Sequence, residues 1–288
     1  ATDGTAQGTL LVKDIKPGPQ STYYYDYDYG SEIGSLTSFS GKLLFTATDG
    51  DNGVELWSSD ASEHGTVMVK DISTGSGNSR PSSLVTLNGT LFFAASDEDH
   101  GRELWKSDGT EAGTILVKDI RPGGVTYDDG ETSYYYPHSS SPHTLVNFNG
   151  QLLFVADDGQ SGNELFRSNG TAAGTAILVD VSPGNRSSFP YSFNAVNGKI
   201  LFVANDNVSG EELWMKTAGG AALVKDITPG SDGYYGFGRF TNFNGALYFV
   251  TSNTGDFRNV ELWKTDGTEE GTVQVKDIKT QSTGFDYA

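Results

Sequence analysis

A repeat of about 48 residues constrains this chain more than any other feature of its sequence. The motif Glu-Leu-Trp, or Glu-Leu-Phe once, begins at Glu55, Glu103, Glu164, Glu212 and Glu261. A second motif, Val-Lys-Asp-Ile or its variant Leu-Val-Asp-Val, has its aspartate at Asp14, Asp71, Asp119, Asp180, Asp226 and Asp277. The first motif thus occurs five times and the second six times. Self-similarity at a period of roughly 20 to 50 residues is typical of solenoids and β-propellers.

Each repeat contains four segments with strand character, which we label A to D in chain order. In the second copy they are SLVTL, TLFFAAS, RELWKS and ILVKDI. Asn88-Gly89 separates A from B, and Asn-Gly between two apolar runs favours a type I′ hairpin because both central residues need positive φ. Asp-Gly in the DGTxxGT segment serves the same purpose between C and D. The fourth copy has lost this signal and has TAGGAA instead.

Four antiparallel strands in every repeat predict an all-β fold, a five-bladed β-propeller of four-stranded antiparallel blades. We expect one domain over residues 1–288, with blades near 35–72, 83–120, 144–181, 192–227 and 240–278, and with residues 1–16 as a surplus outer strand. The alternative is a row of independent sheets. It is disfavoured because an isolated four-stranded sheet could not bury Trp and Phe on both faces.

The segments ELWKSDGTEAGT and ILVKDIRPG recur, with variation, across almost the whole chain. They resemble the ELWxxDGT repeat of large bacterial surface or secreted proteins. More loosely, the unit is similar to the blades of TolB-like propellers. The resemblance implies a propeller of exported bacterial origin, located outside the cell or at its surface, and it implies no reaction.

Composition narrows the classes of partner. The formal net charge of −18 repels nucleic acid and anionic lipid, so we expect no nucleic-acid binding. No apolar run approaches the roughly 20 residues that span a bilayer, so no membrane insertion is expected. Cysteine is absent, which removes disulfides and Cys-ligated zinc. Because the chain begins within a repeat, we expect that it was processed or cut from a longer protein.

The loops between strands B and C are acidic. Their oxygen-bearing side chains suit a hard cation, and the candidate calcium ligands are Asp49, Asp51, Asp97, Asp99, Asp157, Asp158 and Asp206. The alternative is structural, because aspartate also caps turns by accepting hydrogen bonds from its own backbone. The repeated Glu of Glu-Leu-Trp is expected to form hydrogen bonds within its blade.

Tyrosine is concentrated in the long connections from strand D to the next strand A. The candidate contact residues are Tyr23, Tyr24, Tyr25, Tyr27, Tyr29, Tyr134, Tyr135, Tyr136, Tyr234 and Tyr235. Tyrosine stacks on sugar rings and is enriched in protein interfaces, which predicts a glycan or protein partner. The rival interpretation is that these loops pack on themselves.

Catalysis has little support in the sequence. His64 and His100 lie in turns of different repeats, and His138 and His143 share one long loop without a helix to bring them together. No nucleophile elbow, zinc-protease motif or phosphate-binding loop occurs. The four Trp, all in strand C, are assigned to the core. A carboxylate-dependent polysaccharide hydrolase is kept only as the last alternative.

The surplus D segment favours a structural, self-assembling protein over these alternatives. Only one D strand can complete the fifth repeat, so one of two similar segments is left with an unpaired edge that recruits another strand. The residues assigned to assembly are Leu10, Leu11, Val12, Lys13, Asp14, Ile15, Val273, Val275 and Ile278. The predicted partner is a second copy, joined by strand exchange into a filament or matrix. A fifth strand lying on its own blade is the alternative.

Overall fold

A computed structural model describes residues 1–18, 30–227, 236–252 and 260–277. Every helix or strand assigned in these residues is a β-strand. The described part of the chain contains no helix of the length and apolarity needed to cross a bilayer.

Twenty of the strands form five four-stranded antiparallel sheets, which we number I to V, and the other two form a separate ribbon. Sheet I contains β1 (Gly34–Phe39), β2 (Lys42–Ala47), β3 (Glu55–Ser59) and β4 (Val67–Lys70), and sheet II contains β5 (Ser82–Leu87), β6 (Thr90–Asp97), β7 (Gly101–Ser107) and β8 (Ile115–Lys118). The ribbon contains β9 (Gly124–Asp128) and β10 (Ser133–Pro137). Sheet III contains β11 (His143–Phe148), β12 (Gln151–Asp157), β13 (Asn163–Ser168) and β14 (Ala176–Val179), and sheet IV contains β15 (Tyr191–Val196), β16 (Lys199–Asn205), β17 (Glu211–Thr217) and β18 (Gly220–Lys225). Sheet V contains β19 (Gly236–Phe243), β20 (Ala246–Ser252), β21 (Val260–Thr265) and β22 (Val273–Asp277).

The order of strands within each sheet confirms the predicted A–B–C–D repeat. In all five sheets the neighbours follow chain order. The Asn-Gly turns have the backbone that a type I′ hairpin requires, with φ of 50° at Asn88 and 76° at Gly89. The A–B and C–D turns of a sheet therefore lie at one end of its strands, and the B–C loops lie at the other.

A bulge recurs in strand A of every sheet. The register between strands A and B shifts after Gly34, Ser82, His143, Tyr191 and Gly238. Ser83 next to this point in sheet II has φ of 55°, and Thr144 in sheet III has φ of 53°. A bulge bends the strand and increases its twist, so this shared irregularity is part of the repeat.

Hydrophobic core clusters lie between sheets I and II and between sheets IV and V. In one cluster, Phe39, Leu44 and Leu56 of sheet I pack with Phe93 and Trp105 of sheet II. Another cluster joins sheets IV and V in the same way. We call the face of a sheet that packs on the next sheet its back face, and the face that packs on the preceding sheet its front face.

The chain divides into two compact units. The first comprises Ala1–Gly159 and Phe166–Ala176, and the second comprises Gln160–Leu165 and Ile177–Ala288. The prediction that all five repeats close into one ring stays a prediction.

One local expectation was wrong. The connection before sheet III was expected to be an irregular loop, but it contains the ribbon β9–β10, in which Tyr134 pairs with Tyr127. The fourth copy lacks the DGTxxGT signal, as its sequence indicates, and Thr217 nevertheless pairs with Gly220 across a tight turn. Gly220 has φ of 148°, so a glycine at a different position supplies the backbone freedom.

Candidate functional site

The repeated Glu of Glu-Leu-Trp is a buried structural acceptor. Glu103 has no exposed surface, and its carboxylate accepts hydrogen bonds from the backbone N–H of Ile120 (3.0 Å) and of Ser140 (2.8 Å). The Ser140 hydroxyl donates a third bond of 2.5 Å. Since Ile120 follows strand D and Ser140 precedes the next strand A, the side chain fixes the connection between two repeats. The predicted bonding within the blade is confirmed, and it extends to the following repeat.

The same arrangement recurs along the chain. Glu55 accepts hydrogen bonds from the N–H of Ile72 and from the N–H and the hydroxyl of Ser79. Glu164 accepts hydrogen bonds from the N–H of Val181 and from the N–H and the hydroxyl of Ser188. Burial raises the pKa of Glu103 and of Glu164 to about 7. A carboxyl with a raised pKa in a cleft is often catalytic. These side chains lie in the interior, where no substrate can reach them, so their shifted pKa reflects burial.

The DGTxxGT segments form a second repeated hydrogen-bond motif. In sheet II, Asp108 accepts bonds from the hydroxyl and the N–H of Thr110, and these bonds lower its pKa. The Thr110 hydroxyl accepts the N–H of Gly113, and Ser107 and Thr114 share a bond of 2.8 Å in the interior. Asp3, Asp60, Asn169 and Asp266 repeat this pattern. The motif therefore builds the C–D turn.

The B–C loops use their carboxylates to cap their own backbone. Asp49 accepts the N–H of Asp51 and of Asn52, and the B–C loops of sheets II, III and IV follow the same plan. In these loops Asp97 accepts from Asp99 and His100, Asp157 accepts from Gly159, and Asp206 accepts from Val208 and Ser209. No group of three or more Asp, Glu or His side chains suited to a metal ion is present in the described residues. Asp158 lies in the same loop as Asp157. The capping hydrogen bonds thus favour the structural interpretation of these aspartates over calcium binding.

The histidines do not form a catalytic group. His100 Nδ1 lies 2.8 Å from a carboxylate oxygen of Asp97, and this hydrogen bond raises the histidine pKa. His143 Nδ1 contacts the carbonyl oxygen of Ser141, two residues away. Neither contact joins a histidine to a nucleophile.

The ribbon exposes the only candidate tyrosines that the structure describes. Tyr134, Tyr135 and Tyr136 are 46%, 50% and 59% exposed. Tyr134 pairs directly with Tyr127, and Tyr136 pairs with Val125, so these four side chains share one face of the ribbon. For this connection, the exposure of the three side chains fits external contact better than the rival interpretation of self-packing. The other candidates, Tyr23, Tyr24, Tyr25, Tyr27, Tyr29, Tyr234 and Tyr235, lie outside the described residues.

The N-terminal segment forms a turn with the same hydrogen bonds as the C–D turns of the sheets. Ala1 and Leu10 exchange two backbone bonds, and the turn between them has the full DGTxxGT pattern. Beyond Leu10 the segment has no strand partner, and Leu10 and Leu11 are 66% and 81% exposed. Val273–Asp277 remains in sheet V, paired with β21. Of the two options for the surplus strand, the described residues thus fit the one that leaves the N-terminal edge free, while Ile278 lies outside them.

This segment lies where the D strand of a preceding sheet would lie. Lys13 Nζ donates to the carbonyl oxygen of Thr66 in sheet I at 2.8 Å. Lys118 makes the same contact with Thr175 in the following sheet at 2.9 Å. Ile15 is buried against Phe45, Ala47 and Trp57, as Ile72 is buried against the matching residues of sheet II.

The rest of the front face of sheet I is uncovered. Ile33, Leu36 and Leu43 are 57%, 61% and 38% exposed. The matching side chains of sheet III, by contrast, are buried: Pro142, Leu145 (6%) and Leu152 (0%). Together with Leu10, Leu11 and Phe45, the three exposed side chains line an apolar hollow of about 230 Å³. Sequence reasoning missed this surface, because the residue types are those of a covered face.

Comparisons with known proteins identify no family. No family model matches the chain, and no curated protein matches it. A puromycin hydrolase is similar in structure at 13% identity and a TM-score of 0.43, over 85% of this chain and 39% of the hydrolase. A GH43 β-1,3-galactosidase (10% identity, TM-score 0.39, 86% of this chain and 94% of that one) and a putative TolB from Agrobacterium tumefaciens (11%, 0.38, 86% and 81%) are also similar. This chain therefore spans about two fifths of the length of the hydrolase.

Proposed function

We propose that this chain is a non-catalytic structural protein, a five-bladed β-propeller that assembles with further copies of itself at a cell surface or outside the cell. The observation that carries the proposal is the N-terminal segment, which lies in front of sheet I without a strand partner. Leu10 and Leu11 of this segment are 66% and 81% exposed. An apolar segment with an unpaired edge recruits another strand.

The carboxylates support a structural role over a catalytic one. Glu55, Glu103 and Glu164 each hold two or more backbone N–H groups inside the fold. The aspartates of the loops hold their own turns. The conspicuous acidic groups of the repeat therefore already have structural partners, and the resemblance to ELWxxDGT proteins points to the same class.

Substitution on the N-terminal segment tests this proposal. Leu11→Asp places a charge on its apolar edge, so we expect it to prevent assembly while leaving the monomer folded, because the side chain is 81% exposed. Val208→Asp, at a side chain that is 74% exposed in a B–C loop, is the matched control and should assemble like the wild type. Molar mass from light scattering is the measurement. Equal masses for Leu11→Asp, Val208→Asp and the wild type would contradict the proposal.

A second candidate function rests on the ribbon. Val125, Tyr127, Tyr134 and Tyr136 present an aromatic face to solvent, which is the surface that a glycan or a protein partner would contact. On this hypothesis the chain is an adhesin-like binding module.

The ribbon hypothesis predicts separable effects on stability and binding. Replacing Tyr134, Tyr135 and Tyr136 together by Ser should lower the free energy of unfolding by only about 1 kcal/mol or less, since exposed side chains contribute little to the core. Binding on a glycan array should be lost. Replacing the buried Phe249 and its neighbours in sheet V would unfold the protein, so such a variant cannot serve as the control. Thr126→Ser on the ribbon is the control. Unchanged glycan binding by the triple variant would remove this candidate.

A further inference from the structure

The ribbon β9–β10 is separate from the five sheets. It pairs with no other strand in the part of the chain that the structure describes. Every residue from 125 to 136 is exposed, on both faces of the ribbon. A two-stranded ribbon is marginally stable by itself, and packing against another element is what usually stabilises it. The ribbon therefore lacks the partner that such an element normally has.

One edge of the ribbon is open to a further strand. The N–H of Asp129 donates to the carbonyl oxygen of Thr132, and the N–H of His138 donates to that of Gly123. Since bonded positions alternate along an antiparallel pair, β9 directs the main-chain groups of residues 124, 126 and 128 outward. On β10 the outward positions are 133, 135 and 137, and Pro137 has no N–H to donate. The edge of β9 is thus the better template for strand addition.

The ribbon carries negative charge and no positive charge. Three exposed carboxylates lie at its tip, those of Asp128, Asp129 and Glu131, and residues 122–137 contain no Lys or Arg. Arg121, the nearest basic residue before the ribbon, is paired with Asp157 at 2.6 Å. The charge of the ribbon therefore fits a cationic partner, and a second ribbon with the same carboxylates fits it poorly.

The aromatic face suits the same kind of side chain. Tyr127, Tyr134 and Tyr136 are 60%, 46% and 59% exposed on one face of the ribbon. Guanidinium groups stack on aromatic rings and are attracted to their faces. A strand added to β9 directs every second side chain to this face, because successive side chains of a strand point to opposite sides. Basic residues at alternate positions of such a strand therefore reach the tyrosines.

We propose that the ribbon binds an extended segment of another protein that carries basic side chains at alternate positions and pairs with the edge of β9. The inference rests on the second candidate function, and it names the chemistry of the partner and the edge that the partner uses. Main-chain hydrogen bonds to residues 124, 126 and 128 hold the segment in place. The tyrosines and the acidic tip select its side chains.

Fluorescence polarisation with labelled peptides tests the inference on the full chain. The probe is a peptide of four Thr-Arg repeats, and we expect the wild type to bind it with an affinity that falls as the salt concentration rises. A peptide of the same composition, ordered as two Thr-Thr-Arg-Arg repeats, should bind severalfold more weakly, because half of its arginines point away from the aromatic face. A peptide of four Thr-Gln repeats should not bind.

Two proline variants locate the edge. Thr126→Pro removes an outward N–H of β9 and should abolish binding, whereas Ser133→Pro removes one of β10 and should bind like the wild type. Both residues are exposed and lie at positions whose N–H groups point away from the partner strand, so neither variant removes a bond between β9 and β10. Equal affinities of Thr126→Pro and the wild type would overturn the inference.

Neutralising the tip tests the role of charge. Asp128→Asn/Asp129→Asn/Glu131→Gln keeps the shape of the side chains and should weaken binding severalfold. The matched control removes three charges from exposed positions of the C–D turns and should bind about as tightly as the wild type: Glu63→Gln/Glu111→Gln/Glu269→Gln. Equal losses in the two triple variants would show that the peptide responds to the net charge of −18 and not to the ribbon, which would overturn the inference.

The peptide and glycan results together separate this inference from the second candidate function. Equal affinity for the Thr-Arg and Thr-Gln peptides, or for the two orders of arginine, would refute the inference. If no peptide binds but glycans bind through Tyr134, Tyr135 and Tyr136, the inference is refuted and the second candidate function stands. If neither peptides nor glycans bind, both are refuted.

Discussion

Glu103→Ala is expected to lower the free energy of unfolding by about 3 to 5 kcal/mol, because each buried donor left without an acceptor costs about 1 to 3 kcal/mol. In the wild type the N–H groups of Ile120 and Ser140 and the Ser140 hydroxyl donate to a carboxylate that has no exposed surface. The variant leaves these three donors without an acceptor. Glu103→Gln keeps one acceptor oxygen and should fall between the variant and the wild type. Urea denaturation followed by tryptophan fluorescence measures the change.

Glu111→Ala is the control for this substitution. Glu111 is exposed in the C–D turn of the same sheet, so its removal should change the stability by no more than about 0.5 kcal/mol. A Glu103→Ala variant as stable as Glu111→Ala would show that the repeated Glu does not hold the repeats together.

Phe93→Ala should cost about 3 to 5 kcal/mol, the usual range for truncating a fully buried aromatic side chain. Phe93 has no exposed surface and lies in the cluster between sheets I and II with Phe39 and Trp105. The loss combines apolar surface returned to water with a cavity that the flanking sheets cannot close. Thermal and urea unfolding of the purified variant provide the measurement.

Phe243→Ala is the matched control, since Phe243 is 59% exposed on the terminal sheet. It should leave the stability of the monomer within about 0.5 kcal/mol of the wild type. Equal losses of stability for the two Phe variants would contradict the assignment of Phe93 to the core and of Phe243 to the surface.

The strands were predictable because each repeat contains turn residues that mark where its strands end. Asn88-Gly89 and its counterparts demand positive φ at both positions, and the structure has it. The expected start of the first four sheets lies within one residue of the observed one, whereas sheet V begins at Gly236 instead of residue 240. The ribbon was missed although Asp129-Gly130 between two β-prone runs is the same turn signal. The density of Tyr and Asp around it was interpreted as loop.

The partners of the buried Glu were not predictable. Ser79 lies 24 residues beyond Glu55, and Ser140 lies 37 residues beyond Glu103, because the intervening connections differ in length. The exposure of the front face of sheet I could not be predicted for another reason. Leu36 and Leu43 are the same residue type as the half-buried Leu84 and the buried Leu91, so only the packing of neighbours distinguishes them.

The molar mass of the wild-type chain, measured by light scattering over a series of protein concentrations, tests self-assembly most directly. The account predicts a mass above that of the 30.8 kDa monomer that increases with concentration, because a head-to-tail contact does not saturate at a dimer. A mass that stays at 30.8 kDa up to the highest concentration would contradict it.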